Sequence, residues 1–146
     1  MRITRDEWAM RLAETTALRA TCLRRSVGCI LLNDKGHVLA TVYNGVPAGM
    51  LHCNEGHPCE GATSPSGTNL DACHAIHAEQ NALLQCKDVY QVHTAYVTVS
   101  PCITCVKLLL NSGCQRIVFR KPYPHTEARD LWVMMGRQWM ELPSEG

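Results

Sequence analysis

Residues 77–79 read His-Ala-Glu, and residues 101–105 read Pro-Cys-Ile-Thr-Cys. These two segments restrict the fold more than anything else in the chain. Two cysteines three apart at the start of a helix project from one face, close enough to share a metal. Thiolates there are favoured by the unpaired amides and the positive end of the helix dipole. A histidine from another helix makes a third ligand, so the chain must bring two helix starts together. Three protein ligands leave zinc an open position for water, the arrangement of a catalytic site rather than a structural one. Zinc lowers the pKa of such a water from ~15.7 to about 7. Glu79, two residues after the histidine, is placed to move protons beside the metal without binding it. A structural zinc ribbon calls for a second Cys-x-x-Cys pair, and the chain has only one.

The rest of the 146 residues reads as one domain over 1–146, since a single core typically serves roughly 100–200 residues. Thr4 to about Arg24 contains no Gly or Pro and is expected to be helical, with Thr4 as cap and Glu7 completing a capping box. Trp8, Leu12, Thr15, Leu18 and Cys22 recur at the spacing of a packed face. Val27 to Leu32 and His37 to Tyr43 read as a hairpin around the Asn33-Asp34-Lys35-Gly36 turn. A long Gly- and Pro-punctuated loop covers about 44–72, a length uncommon in a compact domain unless functional or tied down.

A helix is expected from after Asp71 to about Cys86, and a strand at Tyr96 to Val99. Ser100 then caps a helix with Pro101 at its first position, running to about Asn111. Arg116 to Phe119 is a strand, Thr126 to Met135 a helix, and Trp139 to Leu142 an edge strand. This alternation indicates an α/β class. Trp8, Trp132 and Trp139 read as core or oligomer-interface residues, Met134 and Met135 as packing.

With 18% charged residues, 46% hydrophobic residues and a formal charge of +1, the composition excludes a disordered chain. It also opposes a general electrostatic grip on nucleic acid. No apolar run approaches the ~20 residues of a membrane span. Met1 to Glu7 lack the apolar core of a secretory signal, so a cytoplasmic protein with reduced or metal-bound thiols is expected.

Nine cysteines cannot pair completely within one chain. Cys29, Cys86 and Cys114 read as small core residues. Cys22, Cys53, Cys59 and Cys73 lie in or beside the long loop, which has little apolar surface to bury. A second, structural zinc held by these four would offset the loop's ordering cost. His52, His57 and His74 are reserves for any one of the thiolates.

The pairing of His-x-Glu with Pro-Cys-x-x-Cys is the signature of zinc nucleobase deaminases. The chain resembles the deoxycytidylate (dCMP) deaminases of the zinc-dependent cytidine deaminase superfamily. The resemblance runs through Thr21-Cys22-Leu23-Arg24-Arg25-Ser26-Val27-Gly28, Tyr43-Asn44-Gly45-Val46-Pro47-Ala48-Gly49, His77 to Leu83 and Ser100 to Cys105. It implies a cytidine-deaminase-like three-layer α/β/α fold around a mixed five-stranded sheet, in a homo-oligomer. It also implies hydrolysis of the exocyclic amine of dCMP to give dUMP and ammonia.

Carried over to these positions, His77, Cys102 and Cys105 hold the catalytic zinc and Glu79 shuttles protons. The Ala78 amide meets the base carbonyl, the Ser100 carbonyl accepts from the exocyclic amine, Asn44 contacts sugar and base, and Tyr123 lines the pocket. Some members carry an additional structural zinc from comparable regions. Val42 stands where regulatory members often have Gly, which speaks against control by dCTP and dTTP.

Arg25 is the favoured phosphate contact, because guanidinium binds phosphate through paired donors, with Arg24 and Lys121 behind it. The competing reading is a solvated basic helix end. Two other functions share the metal motif: a nucleic-acid-directed deaminase such as a tRNA adenosine deaminase, and a non-catalytic zinc-stabilised binding module. The near-zero charge opposes the first, and Glu79 opposes the second.

Overall fold

The computed structural model describes residues 1–20, 26–45 and 76–144. Helix α1 (Arg5–Ala17) precedes an antiparallel hairpin of β1 (Gly28–Leu32) and β2 (Val38–Tyr43). Then follow α2 (Ala78–Gln85), β3 (Thr94–Val99), α3 (Ile103–Leu110), β4 (Arg116–Lys121), α4 (Glu127–Met134) and β5 (Gln138–Glu141). The five strands form one mixed sheet in the order β2-β1-β3-β4-β5. β1 is antiparallel to both β2 and β3, whereas β3, β4 and β5 are parallel. The parallel steps need crossovers, which α3 and α4 supply.

The apolar run of β1 is buried at all five positions, because helices cover both faces of the sheet. Ile30 and Leu32, with Tyr96 and Val118, face α1 through Ala9, Met10 and Ala13. Cys29 and Leu31, with Ala95, Val97, Ile117 and Phe119, meet Ala78, Ala82, Val106, Leu109, Ala128 and Trp132 from α2, α3 and α4. The expected three-layer α/β/α architecture around a mixed five-stranded sheet is the one observed.

The sheet directions position the site. β2 and β3 are both antiparallel to β1, so β2, β3 and β4 run the same way. Their carboxyl ends, at Tyr43, Val99 and Lys121, lie on one edge of the sheet. Ligands of open α/β sheets bind outside the carboxyl ends of strands.

Helix boundaries and faces depart from the sequence reading in three places. α1 ends at Ala17, not near Arg24, and residues 21–25 lie outside the described residues. Leu18, Arg19 and Ala20 donate to carbonyls only three residues back, and Thr16 Oγ1 donates to the Leu12 carbonyl at 2.7 Å. The last turn tightens and the helix stops. Its buried stripe is Ala9, Met10, Ala13 and Ala17, whereas Trp8 and Leu18 are exposed and Leu12 is half-buried. Alanines let α1 lie close to the sheet, and the larger residues expected to pack turn outward. Thr4 caps as expected, accepting from the Glu7 amide at 3.1 Å. The Glu7 carboxylate is turned to Arg120 at 2.7 Å.

α2 begins only at Ala78, because Ile76 is paired with Gly45 as an isolated bridge and His77 is extended. α3 begins at Ile103 with Cys102 as its N-cap, not at Pro101 under a Ser100 cap. The Ser100 hydroxyl is instead occupied, accepting from the Tyr123 amide at 2.6 Å.

The remaining elements match within a few residues, and β5 is an edge strand as expected. Trp132 is fully buried and Trp139 packs on the core, whereas Met134 and Met135 are exposed rather than packed. Cys29 and Cys114 are buried, as read from the sequence, and Cys86 is half-buried.

Polar ties fix the layers. Arg116 donates through both terminal nitrogens to Asp6 (3.1 and 2.8 Å), and the Tyr96 hydroxyl donates to the same carboxylate at 2.6 Å. The Arg116 guanidinium holds the Asp6 carboxyl below its usual range, against the opposing effect of burial. Arg137 donates to the carbonyls of Leu109, Leu110 and Cys114 (3.4, 3.2 and 2.8 Å), capping the end of α3.

Among the described glycines the tightest approach is at Gly28, where a Cβ would stand 1.9 Å from the Ala13 carbonyl oxygen. Gly28→Ala should therefore force α1 off the sheet and cost about 1–3 kcal/mol or more. Urea denaturation of the variant is the check. A neutral result would mean that the α1–β1 contact is looser than this geometry.

Candidate metal centre

Three ligand-bearing side chains converge at the sheet edge. The Nδ1 of His77 and the sulfurs of Cys102 and Cys105 all lie within 4.8 Å of one another. His77 Nδ1 is 3.3 Å from Cys105 Sγ and 3.6 Å from Cys102 Sγ. Tetrahedral zinc with Zn–N near 2.0–2.1 Å and Zn–S near 2.3 Å would separate nitrogen and sulfur ligands by about 3.6 Å. The side chains are thus already spaced for zinc, and one imidazole with two thiols is a donor set that zinc takes.

Each ligand owes its place to a helix start. His77 is the N-cap of α2, its amide donating to Gln80 Oε1 at 3.0 Å. Cys102 is the N-cap of α3, and Cys105 stands three residues on. The two thiols behave as a pair. A hydrogen bond from the Cys105 thiol, aided by His77, outweighs burial and holds Cys102 down to about 4. Cys105 is pushed up by the Cys102 sulfur, by burial and by the Glu79 carboxylate. The pair carries one proton that a metal would displace on binding.

Glu79 is only 3% exposed and lies against Cys105, outside the three-ligand group. A buried carboxylate beside a metal site, but not part of it, has the position of a proton carrier. Ala78, fully buried, opens α2 with its amide in the first turn. Ser100 is buried where β3 leaves the sheet. Asn44 is buried at the end of β2, its Oδ1 accepting from the Val27 amide at 2.9 Å while its own amide donates to the Val27 carbonyl at 3.1 Å. Tyr123 is buried and packs on Cys102 and Cys105.

The structure therefore brings His77, Ala78, Glu79, Cys102 and Cys105 together, with Asn44, Ser100 and Tyr123 on the same sheet edge. Lys121 is exposed at the end of β4. Arg24, Arg25, Cys22, Cys53, Cys59, Cys73, His52, His57 and His74 lie outside the described residues.

A cleft of about 480 Å³ opens beside Cys102 and is lined by Tyr123 and His125 among others. That volume falls within the ~300–1,000 Å³ of small-molecule sites. His125, edge-on to Tyr123 with ring centroids 5.6 Å apart, was missed in the sequence. It lies in the segment between β4 and α4, and no motif marks it. The only signal was its spacing of two from Tyr123.

The family model describing the cytidine and deoxycytidylate deaminase zinc-binding region matches residues 3–121. The chain belongs to this family. It is 37% identical over 121 residues to the deoxycytidylate deaminase of Schizosaccharomyces pombe, covering 81% of this chain and 37% of that protein. It thus spans well under half of that fungal relative's length. Against the deoxycytidylate deaminase of Mycobacterium phage D29 it is 38% identical over 122 residues, covering 80% of this chain and 94% of the phage protein. The crystal structure of the cyanophage S-TIM5 dCMP deaminase in complex with dCMP and dUMP superimposes with a TM-score of 0.78. That pair is 28% identical and covers 97% of this chain and 99% of the other.

Cys105→Ser should lose tight zinc binding, because a serine hydroxyl replaces a thiolate ligand. Dialysis against a metal buffer, followed by elemental analysis, measures this. Metal retained in the His77–Cys102–Cys105 site at wild-type affinity would show that Cys105 is not a ligand.

Proposed function

We propose that this protein is a dCMP deaminase, hydrolysing dCMP to dUMP and ammonia. One observation carries the reading: the zinc-spaced triad of His77, Cys102 and Cys105 with the buried Glu79 carboxylate beside it. The likeness to deoxycytidylate deaminases supports the substrate class. A non-catalytic zinc module has no need of Glu79. A formal charge of +1 supports a free nucleotide rather than a nucleic acid.

In this reading His77, Cys102 and Cys105 hold zinc, which when bound supplies a Lewis acid that makes water nucleophilic at neutral pH. The protein's own groups do the rest. Glu79 accepts the proton released as water attacks C4 and delivers it to ring N3. It then takes the proton of the new C4 hydroxyl and passes it to the amine as the C4=O bond forms and the C4–N bond breaks, releasing ammonia, so one carboxylate serves addition and elimination. The Ala78 amide fixes the base carbonyl, and the Ser100 carbonyl accepts from the exocyclic amine. Asn44 meets sugar and base, and Tyr123 closes one wall. Arg25, outside the described residues, is the proposed phosphate contact.

Glu79→Ala should reduce dCMP turnover by ~10²–10⁴-fold or more while zinc content and fold remain. Ammonia release from the zinc-loaded variant measures it. Activity above about a tenth of wild type would remove Glu79 from the proton path.

The protein is further proposed to act as a cytoplasmic homo-oligomer and as a single deaminase domain over 1–146, with Val42 weakening the case for dCTP or dTTP control. Among the described residues no helix is long and apolar enough to cross a membrane. A second, structural zinc is proposed on Cys22, Cys53, Cys59 and Cys73, with His52, His57 and His74 in reserve. What supports it is the cysteine content of the loop and its shortage of apolar residues. Elemental analysis should then give two zinc per chain, with one persisting in Cys102→Ser. A fully active protein with one zinc per chain would exclude the second site and leave the deaminase reading intact.

A further inference from the structure

We infer that Asn81 is a positioning residue for the reaction, a strut that sets the end of β2, and with it Asn44, against the helix carrying Glu79. The inference rests on the dCMP deaminase reading. Asn81 stands two residues after Glu79 on α2, and its Nδ2 donates to the Tyr43 carbonyl at 3.2 Å. Tyr43 is the last residue of β2 and directly precedes Asn44.

Asn44 is tied to β1 through Val27, by the two hydrogen bonds described above. Those bonds fix Asn44 to the sheet. Ties to the α2 segment are also made on either side of Asn44. Before it, Asn81 holds the Tyr43 carbonyl. After it, Gly45 and Ile76 exchange backbone bonds of 3.1 and 2.7 Å. Ile76 in turn adjoins the ligand His77. The substrate-side asparagine is thus bracketed by two ties to the segment bearing the metal ligand and the proton carrier.

The bracket explains why a short amide stands at position 81. Residues 77–82 of α2 otherwise divide into the ligand His77, the buried Ala78 and Ala82 against the sheet, Glu79 at the metal and Gln80 capping the His77 amide. Asn81 is the one side chain of this turn aimed at the neighbouring strand end. It donates to a backbone carbonyl that the sheet leaves unused at its edge. Zinc would be held by His77, Cys102 and Cys105, and Asn81 meets that group only through the helical backbone, its amide donating to the His77 carbonyl at 3.0 Å, a bond that a side-chain substitution leaves in place. Loss of the strut should therefore leave metal binding alone and change how the sugar and base are presented to Glu79.

The test is a double-mutant cycle on Asn44 and Asn81, read as kcat/KM for dCMP with zinc content measured alongside. Asn81→Ala should lower kcat/KM about tenfold, the scale of one hydrogen bond, with zinc unchanged. In an Asn44→Ala background the same change should cost little further, because the residue through which it acts is gone. Where turnover of Asn44→Ala is too slow, dUMP affinity by calorimetry gives the same cycle. Asn81→Asp, which keeps the shape and removes the donor, replaces Asn81→Ala if that variant does not fold.

Equal losses in both backgrounds would make Asn81 a general structural residue and overturn the inference. So would wild-type kcat/KM in Asn81→Ala, or an Asn44→Ala variant with no defect. A wild-type enzyme that binds zinc but turns over no dCMP overturns the deaminase reading itself, and this inference with it.

Discussion

Two neighbouring helices of one layer begin at the same place, and most of the site follows from that. The dipoles of α2 and α3 each present about half a positive charge at their first turns. Bringing two such ends together is unfavourable unless negative groups are set between them. Cys102 and Cys105 on α3 and Glu79 on α2 are those groups. The helix starts favour the anionic form of the Cys102 sulfur, whereas Cys105 is pushed up by that sulfur, and anionic sulfur would in turn draw a metal cation between them. The helix starts thus create a site that selects soft anionic ligands and keeps them close.

Convergence requires the sheet. β2, β3 and β4 run in one direction, so the chain leaves the same edge three times, delivering Asn44, Ser100 and Tyr123 around the two helix starts. The hydroxyl of Ser100 joins two of these exits by accepting from the Tyr123 amide. Behind the site the sheet interior is apolar, and Cys29 and Cys114 are buried against it. Burial and the nearby Glu79 charge keep the Cys29 thiol protonated and inert. Glu79 is itself buried, and a low-dielectric surrounding strengthens its interactions.

The opposite face of the sheet is organised by charge. Asp6 and Glu7 on α1 reach across to Arg116 and Arg120 on β4, and Arg120 also meets Glu14 at 3.0 Å. Breaking one partner of such a tie leaves the other partly desolvated, which is why these pairs fix the helix more firmly than their net stability suggests. With α1 held there and Gly28 admitting it closely, the start of β1 stays in register for Val27 to grip Asn44.

The donor set of His77, Cys102 and Cys105 was legible from residues 77–79 and 101–105, because ligand type and short spacing are local properties that no packing arrangement alters. Strand positions were legible too, since β1, β3 and β4 carry apolar runs at 29–32, 95–97 and 117–119 that are buried on both faces of the sheet. What the sequence could not give were the true starts of α2 and α3. Those are set by partners remote in the chain: Ile76 is drawn out of the helix by Gly45, and Ser100 is taken from its capping role by Tyr123. The packed face of α1 was not legible, because the spacing of Trp8, Leu12 and Leu18 pointed to one stripe whereas the close approach of Gly28 to Ala13 and Ala17 puts the alanine stripe against the sheet. Metal chemistry is written in side-chain identity. The tie between Asn81 and the strand end that carries Asn44 is a product of strand direction and long-range hydrogen bonding, which only the folded chain possesses.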